Sequence, residues 1–436
     1  MMIATFSKSM RFAQALKSPA FALLWVGQGI SNLGDGIFNV ALSWQVLLMT
    51  NSGTSMAVVL IANMIPRLIF ILIGGVTADR LPRRLIVLWS DGGRGIILAI
   101  VSILGFTGQL QLWHLIVESL LFGTITGFFN PAVMAIVPDL VVDKEKLASA
   151  NALTSFSAHF GQLLGPMLGV LLIALFTPMG AFLADALSFF ISVFFLLLVR
   201  IPSSDYATAI QEKPSETVDA EKARQTRSKG FRGVLEDMRE GLNYVQNVRW
   251  LWVLIIALAF ANIGYMATLA VAMPKLVNDV YKQGAWLLGL IGIVSPIGSM
   301  IAIALAVHIK QAKRRGLLAY LSLGLPCVGM LIFGLPFPLL IVPITASVAS
   351  AITGFGLAFF NTIWYTILYE TVPGEKLGRV ISLDTVGSFA MIPVGYIVGG
   401  IMTDQIGPAA VFLFFSAFNA VFFIIPLFVR DVRELH

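Results

Sequence analysis

Charge is what this sequence is shortest of. Lys, Arg, Asp and Glu make up 12% of its 436 residues, while 58% are hydrophobic. A soluble domain carries about a quarter charged and about half apolar residues. A water-soluble globular domain is therefore excluded, and the chain reads as an integral membrane protein. Cysteine is nearly absent: Cys327 alone leaves no intramolecular disulfide. The four histidines, His114, His159, His308 and His436, lie far apart without metal-ligand spacing, so neither a metal nor a cofactor is expected. There is no G-x-x-x-x-G-K-S/T phosphate loop, no H-E-x-x-H and no nucleophile elbow. Nothing in the chain is equipped to hydrolyse ATP, and any uphill work must draw on an ion gradient. The chain is expected not to be an enzyme and not to bind nucleic acid.

What is present is a series of long apolar runs. They fall near 20–48, 54–78, 85–107, 112–137, 153–176 and 178–200, then near 249–273, 284–309, 316–335, 338–369, 379–403 and 407–429. Each is long enough for a helix to cross the roughly 30 Å of hydrocarbon, which takes about 20 residues. Continuous runs, not alternation, exclude a β-barrel. The expected fold is all-α: twelve transmembrane helices in two pseudo-symmetric six-helix bundles. The basic start (Lys8, Arg11, Lys17) is followed by a run too long for a signal peptide and by no small-residue cleavage site, so it reads as a retained span.

Lys and Arg gather in alternate loops: Arg80, Arg83 and Arg84; Lys144 and Lys146; 200–249; Lys310, Lys313, Arg314 and Arg315; Lys376 and Arg379. Only Lys275 and Lys282 break the alternation. The positive-inside rule then puts both termini in the cytoplasm of a cell-membrane protein. Residues 201–248 are polar and read as a cytoplasmic linker between an N-terminal bundle, 1–200, and a C-terminal bundle, 249–436. Within it FRGVLEDMREGLNYVQNV aligns Phe231, Leu235, Met238, Leu242 and Val245 on one face. That face fits either an amphipathic helix at the membrane or bundle surface or a solvated lead-in to the seventh span.

The halves repeat at an offset of 230–231 residues: Arg83-Arg84 with Arg314-Arg315, Asn130 and Asp139 with Asn361 and Glu370, Glu145-Lys146-Leu147 with Glu375-Lys376-Leu377, and Gly165 and Gly169 with Gly395 and Gly399. Parallel six-span repeats put a substrate site between the halves near the midplane.

The stretch GQGISNLGDGIFNVALSW carries Gln28, Asn32, Asp35 and Asn39 within about 60° of one another on a helix. An ionised side chain at mid-bilayer costs about 2.5–3.5 kcal/mol on the lenient insertion scale. Asp35, Arg67 and Glu118 must therefore face a wet cavity or one another, and an Asp35–Arg67 pair at similar depth is one solution. Asp35 and Glu118 are the candidates for proton coupling. The polar stripe reads either as a cavity-facing surface, with Arg67, or as a line of interhelical hydrogen bonds. In the second half Asn262 and Tyr265 share a face, and Asn361, Trp364 and Tyr365 cluster. These suit a large amphiphilic substrate. Asp91 and Arg94, three apart, are expected to pair close to the loop that follows the second span. Asp185 and Asp384 read as structural.

GGVTADRLPRRL, residues 74–85, resembles the signature of the major facilitator superfamily: Gly75, Asp79, Arg80, Arg83 and Arg84 take its places, with Pro82 where the pattern has Gly. A carboxylate there near a helix N-terminus gains about 0.3–1 kcal/mol and serves as a conformational latch, with which Asp91, Arg94 and Asp384 are grouped. GQLLGPMLG, with Gly161, Gly165, Pro166 and Gly169, resembles the motif of the antiporter branches. NPAVMAIVPDLVVDKEKLASANAL, FLADALSFFISVFFLLLVRIP, EDMREGLNYV and LGRVISLDTVGSFAMIPVGYIVGGIMTDQIG resemble the drug-efflux branch that contains macrolide-efflux pumps and the enterobactin exporter. The resemblance implies a monomeric secondary transporter that exports amphiphilic small molecules in exchange for protons by alternating access. One departure is that WHLIVESLLFGTITGFFNPA lacks the mid-helix Arg of many proton-coupled members. A lipid or lysophospholipid flippase of the same fold, or a non-transporting receptor or scaffold, are the alternatives; the cost of buried carboxylates argues against the last.

Overall fold

The computed structural model describes residues 14–141, 144–199, 241–306 and 315–428. Every regular element among them is helical. The first half contains α1 (Pro19–Thr50), α2 (Gly53–Arg80), α3 (Arg83–Phe106), α4 (Leu112–Leu140) and α5 (Lys144–Leu198). The second contains α6 (Arg249–Met266), α7 (Trp286–Ala306), α8 (Arg315–Gly334), α9 (Val342–Thr371), α10 (Gly374–Phe389), α11 (Ile392–Ile406) and α12 (Pro408–Ile424). Among the described residues, nine helices have the length and apolarity to cross a membrane. The expected twelve crossings need α5 counted twice, at its break, and α1 and α12 added.

Local chemistry sets the ends. Asn51 closes α1 in the left-handed region (φ 46°), and the Ser52 hydroxyl then caps α2 by accepting from Ser55 N at 3.2 Å. The break in α5 lies at Phe176 and Thr177 (φ 65°). Pro178 explains its position, because the residue before a proline is driven out of the helical region. α6 continues through two π-helical turns, Ala267–Ala272 and Leu276–Val280, joined by Met273–Lys275.

α1 lies on the first arm of α5 with almost no side chain between them. A Cβ on Gly165 would fall 2.5 Å from the Gly36 Cα. Gly165→Leu should therefore cost about 1–3 kcal/mol of overpacking, read as a lowered thermal unfolding midpoint. Gly75→Ala, where nothing lies within 4 Å, should leave the midpoint unchanged.

The apolar cores show how the halves meet. At the end of the basic loops, one cluster (Phe21, Ile86, Ile136, Leu196) belongs wholly to the first half and another (Leu254, Tyr320, Phe360, Leu368) wholly to the second. At the opposite end the clusters cross over. Trp44 and Leu47 of α1 join Met273, Leu287 and Phe412, while Val271 joins Leu42, Met56 and Phe182. Among the described residues, the apolar clusters thus join the halves at one end and not at the other. Most of the junction is made by α2 with α11 and the first arm of α5 with α7, and the Ala267–Lys275 stretch adds contacts to α1 and α2.

Of the amphipathic segment expected before the seventh span, residues 231–240 lie outside the described residues. In the remainder Val245 is buried in the core of the second half and Leu242 is exposed, so this end of the segment packs on the bundle.

Candidate functional site

The polar stripe of α1 changes character along its length. Gln28 is buried, Asn32 and Asp35 are half-buried, and Asn39 is exposed. Gln28 Nε2 donates to Asp91 Oδ2 (2.9 Å) and Ser192 Oγ (3.1 Å), and Asn32 Nδ2 donates to Ser157 Oγ (3.3 Å). Its buried end therefore makes interhelical hydrogen bonds. The Asp35 side chain, although at mid-helix, keeps 35% of its surface accessible.

Asp91 and Arg94 do not lie beside the α2–α3 loop as expected. Eight residues of helix carry Asp91 about 12 Å from Arg83, into the middle of the first half, where both side chains are fully enclosed. Arg94 Nη2 holds Asp91 Oδ1 at 2.5 Å, and Ser192 Oγ donates to Asp91 Oδ2 at 2.7 Å. The guanidinium lies over Phe129 (4.1 Å) and Phe122 (5.6 Å) of α4 and Phe189 (4.3 Å) of α5. The positive charge missing from α4 is thus supplied against it by α3.

Arg94 Nη1 also comes within 4.0 Å of Asp35 Oδ1. This, rather than an Asp35–Arg67 pair, is the ion pair Asp35 makes. Arg67 is exposed, within electrostatic reach of Asp35 on one side and of Tyr396 of α11 on the other. Arg67 thus stands between one residue of each half. Glu118 is buried; one oxygen accepts from Ser119 Oγ (3.0 Å) and the other has no hydrogen-bond partner among the described residues.

In the second half Asn262 Nδ2 donates to Ser388 O (2.8 Å), which ties α6 to α10. Tyr265 is half-buried, and Asn361 and Tyr365 are exposed. Trp364 departs from the expected cavity surface. It is buried, stacked on Phe360 (centroids 6.0 Å apart) and donates to Asp384 Oδ2 at 3.2 Å. Asp384 likewise sits in the core rather than at the latch loop.

The latch loop divides in two. Arg83 bonds Asp139 (2.8 Å) and Ala135 O (2.9 Å), and Arg84 donates to Leu196 O and Leu197 O (2.9 Å each). These arginines fasten the start of α3 to the C-terminal ends of α4 and α5, where cations are favoured. Asp79 and Arg80 are exposed and make no ion pair among the described residues. Gly75 meets open space, whereas its neighbour Gly74 is the one pressed against Gly127 and Phe128. The repeat reappears in shifted form: Glu370 pairs at 2.9 Å with Arg315, the counterpart of Arg84, whereas Asp139 pairs with Arg83, whose counterpart Arg314 lies outside the described residues. In the antiporter-type motif, the glycine face (Gly161, Gly165, Gly169) rests on Asn32–Ile37 of α1, and Pro166 meets Gly289 and Gly292 of α7. That places the motif on the junction between halves.

At the joined end the halves are clasped by one carboxylate. Asp404, at the end of α11, accepts from Gly53 N (2.7 Å), Thr54 N (2.9 Å) and the Ser52 hydroxyl (2.7 Å), capping α2 from the other half. Lys275 Nζ donates to Asn51 O at 2.6 Å and lies 3.4 Å from Asp404 Oδ1.

A helical frame with two related halves has counterparts among known proteins. The family described as Transmembrane secretion effector matches residues 11–236, just over half the chain, and Major Facilitator Superfamily matches residues 327–436. The chain belongs to the major facilitator superfamily. Within the superfamily it is similar to the multidrug efflux pump Tap of Mycolicibacterium fortuitum, 27% identical over 95% of each chain. Macrolide efflux protein A of Streptococcus pyogenes is 23% identical over 95% of this chain and 97% of its own. The enterobactin exporter EntS of Escherichia coli is 26% identical over 90% and 87%. A bacterial homologue of the iron transporter ferroportin in an inward-facing state has a TM-score of 0.68 at 15% identity, over 94% of this chain and 98% of its own. A bacterial homologue of the lysosomal transporter Spinster, inward-facing and unoccupied, also has 0.68, at 13% identity over 96% and 97%. These two likenesses show the superfamily fold.

Three residues at these sites were not assigned there from sequence. Lys275 had a signal, since it broke the charge alternation; the reason is its bridge to the clasp. Asp404 had none, because its partners lie some 350 positions away in the chain. Asp185, read as structural, lies beside Asp35.

Proposed function

We propose that this superfamily member is a secondary active exporter of amphiphilic small molecules, working by proton antiport and alternating access between halves 1–200 and 249–436, with 201–248 as the cytoplasmic linker. The observation that carries the reading is Asp35: a mid-helix carboxylate that, beside an enclosed arginine, still keeps 35% of its surface accessible, in a chain whose apolar clusters, among the described residues, join the halves at one end and not at the other. An accessible buried carboxylate fits a site that exchanges protons. Asp35 and Glu118 are the coupling candidates. Asn32, Asn39, Arg67, Asn262, Tyr265, Asn361 and Tyr365 are proposed to line the substrate path, while Gln28 and Trp364 support it from within. With the basic loops and both termini on the cytoplasmic side, the joined end is the outer one. The described state is then inward-facing, with the Asp79 latch disengaged.

The substrate class follows from the exporters of drugs, macrolides and a siderophore to which the chain is similar. Reconstituted into proteoliposomes with an imposed pH gradient, the protein should accumulate at least one of a panel of cationic dyes, macrolides and siderophores. No accumulation of any of them overturns the exporter reading, and movement of lysolipid without dye would replace it with the flippase.

A further inference from the structure

Asp185 belongs to the second arm of α5 and is fully buried. Its Oδ1 accepts from Ser188 Oγ at 3.0 Å, and its Oδ2 has no hydrogen-bond partner among the described residues. The carboxyl lies directly against α1, because position 34 is glycine: a Cβ there would run into Asp185 Oδ1 and Ser188 Oγ. The next residue along α1 is Asp35, whose carboxyl lies within electrostatic reach of Asp185. Arg94 of α3 and Glu118 of α4 complete the charged groups that face it.

Charges in this group do not balance. Three carboxyls, Asp35, Asp91 and Asp185, lie within electrostatic reach of Arg94, and a fourth, Glu118, within reach of Asp185. The Arg94 guanidinium is 2.5 Å from Asp91 and 4.0 Å from Asp35. Among the described residues no cation lies within salt-bridge distance of Asp185 or Glu118. When one of two neighbouring carboxyls is enclosed and without a cation, ionising either opposes ionising the other, and the two titrate as a unit.

We propose that Asp35 and Asp185 share one proton, with Asp185 as its buried store and Asp35 as the port through which it exchanges with the space between the halves. When the proton is on Asp185, Asp35 is the carboxylate that faces Arg94. Transfer of the proton from the Asp185 carboxylic acid to the Asp35 carboxylate leaves Asp185 ionised and Asp35 neutral. The pair's net charge is −1 in both arrangements. Asp35 can then lose the proton to water, and a proton from water restores the pair. Use of this store for coupling rests on the antiport reading above, but the shared proton does not.

Infrared spectroscopy of the full-length protein in liposomes tests it without any substrate. At neutral pH the wild type should show the carbonyl stretch of a protonated carboxylic acid, moving on exchange into D2O. Asp185→Asn should lose one component of that band, and Glu118→Gln should retain it. Asp35→Asn should shift the pH at which that component disappears. If Asp185→Asn does not fold, Ser188→Ala, which removes the hydrogen bond to Oδ1, should shift the frequency of the same component. A wild type without a protonated-acid band, an unchanged band in Asp185→Asn, an unmoved pH profile in Asp35→Asn, or an unshifted component in Ser188→Ala overturns the proposal. Failure of the dye panel leaves these spectra as they are, so the two readings fall separately.

Discussion

Asp35→Asn is expected to abolish transport driven by a pH gradient, reducing it to the leak of protein-free liposomes, while the protein stays folded. The asymmetry between Asp35 and Asp91 is the reason. Asp91 is held by three donors, Arg94, Gln28 and Ser192, and is sealed; removing its charge would leave Arg94 buried without its main partner, a change of the kind that costs about 3–5 kcal/mol. Asp35 has a looser 4.0 Å contact and an accessible surface. At an effective dielectric of about 20, two charges 4 Å apart attract by about 4 kcal/mol. That is enough for Arg94 to respond to whether Asp35 carries a proton, and Asn keeps the shape while removing the exchange. The measurement is dye uptake against an imposed gradient, with exchange of dye across liposomes at equal pH as the control. Lost uptake with retained exchange supports coupling at Asp35. Wild-type uptake in the variant removes Asp35 from that role.

The parts legible from sequence were those with a local signature. Polar residues in an apolar helix announced the stripe, and apolar runs that end near 176 and restart near 178 marked the break in α5. Side-chain direction within a face was not legible. Asn361, Trp364 and Tyr365 share a patch of helix, but only packing against Trp250, Phe360 and Asp384 turns the tryptophan inward. Partners across long separations were illegible for the same reason. Gln28 and Asp91 are 63 positions apart, and Asp91 and Ser192 are 101 apart; no periodicity relates them. The π turns of α6 carry no marker that distinguishes them from an ordinary apolar span.

The clasp at Asp404 makes the other large expected effect. Its carboxylate accepts three hydrogen bonds from the first turn of α2 and its cap, where backbone N–H groups lack partners within the helix. It reaches them because both backbones are bare at the crossing: a Cβ on Gly400 would fall 2.8 Å from Gly53 O. Hydrogen bonds to a charged acceptor are worth about 1.5–3 kcal/mol each when sheltered, and these are partly exposed. Loss of the set should therefore shift the balance between states by about 2–3 kcal/mol, roughly 30- to 150-fold towards opening at this end. Lys275→Ala should do less, about 0–1 kcal/mol, because its contact to Asp404 is long and partly solvated. A thiol at position 39 reads the outcome, since Asn39 is exposed on the α1 stripe. The native thiol of Cys327 is buried and is removed by Cys327→Ala. In that background Asn39→Cys should react with a membrane-impermeant reagent added at the joined end at least tenfold faster once Asp404→Ala is introduced. Equal rates with and without Asp404 would mean that the apolar contacts of Trp44, Leu47 and Val271 hold the end closed by themselves.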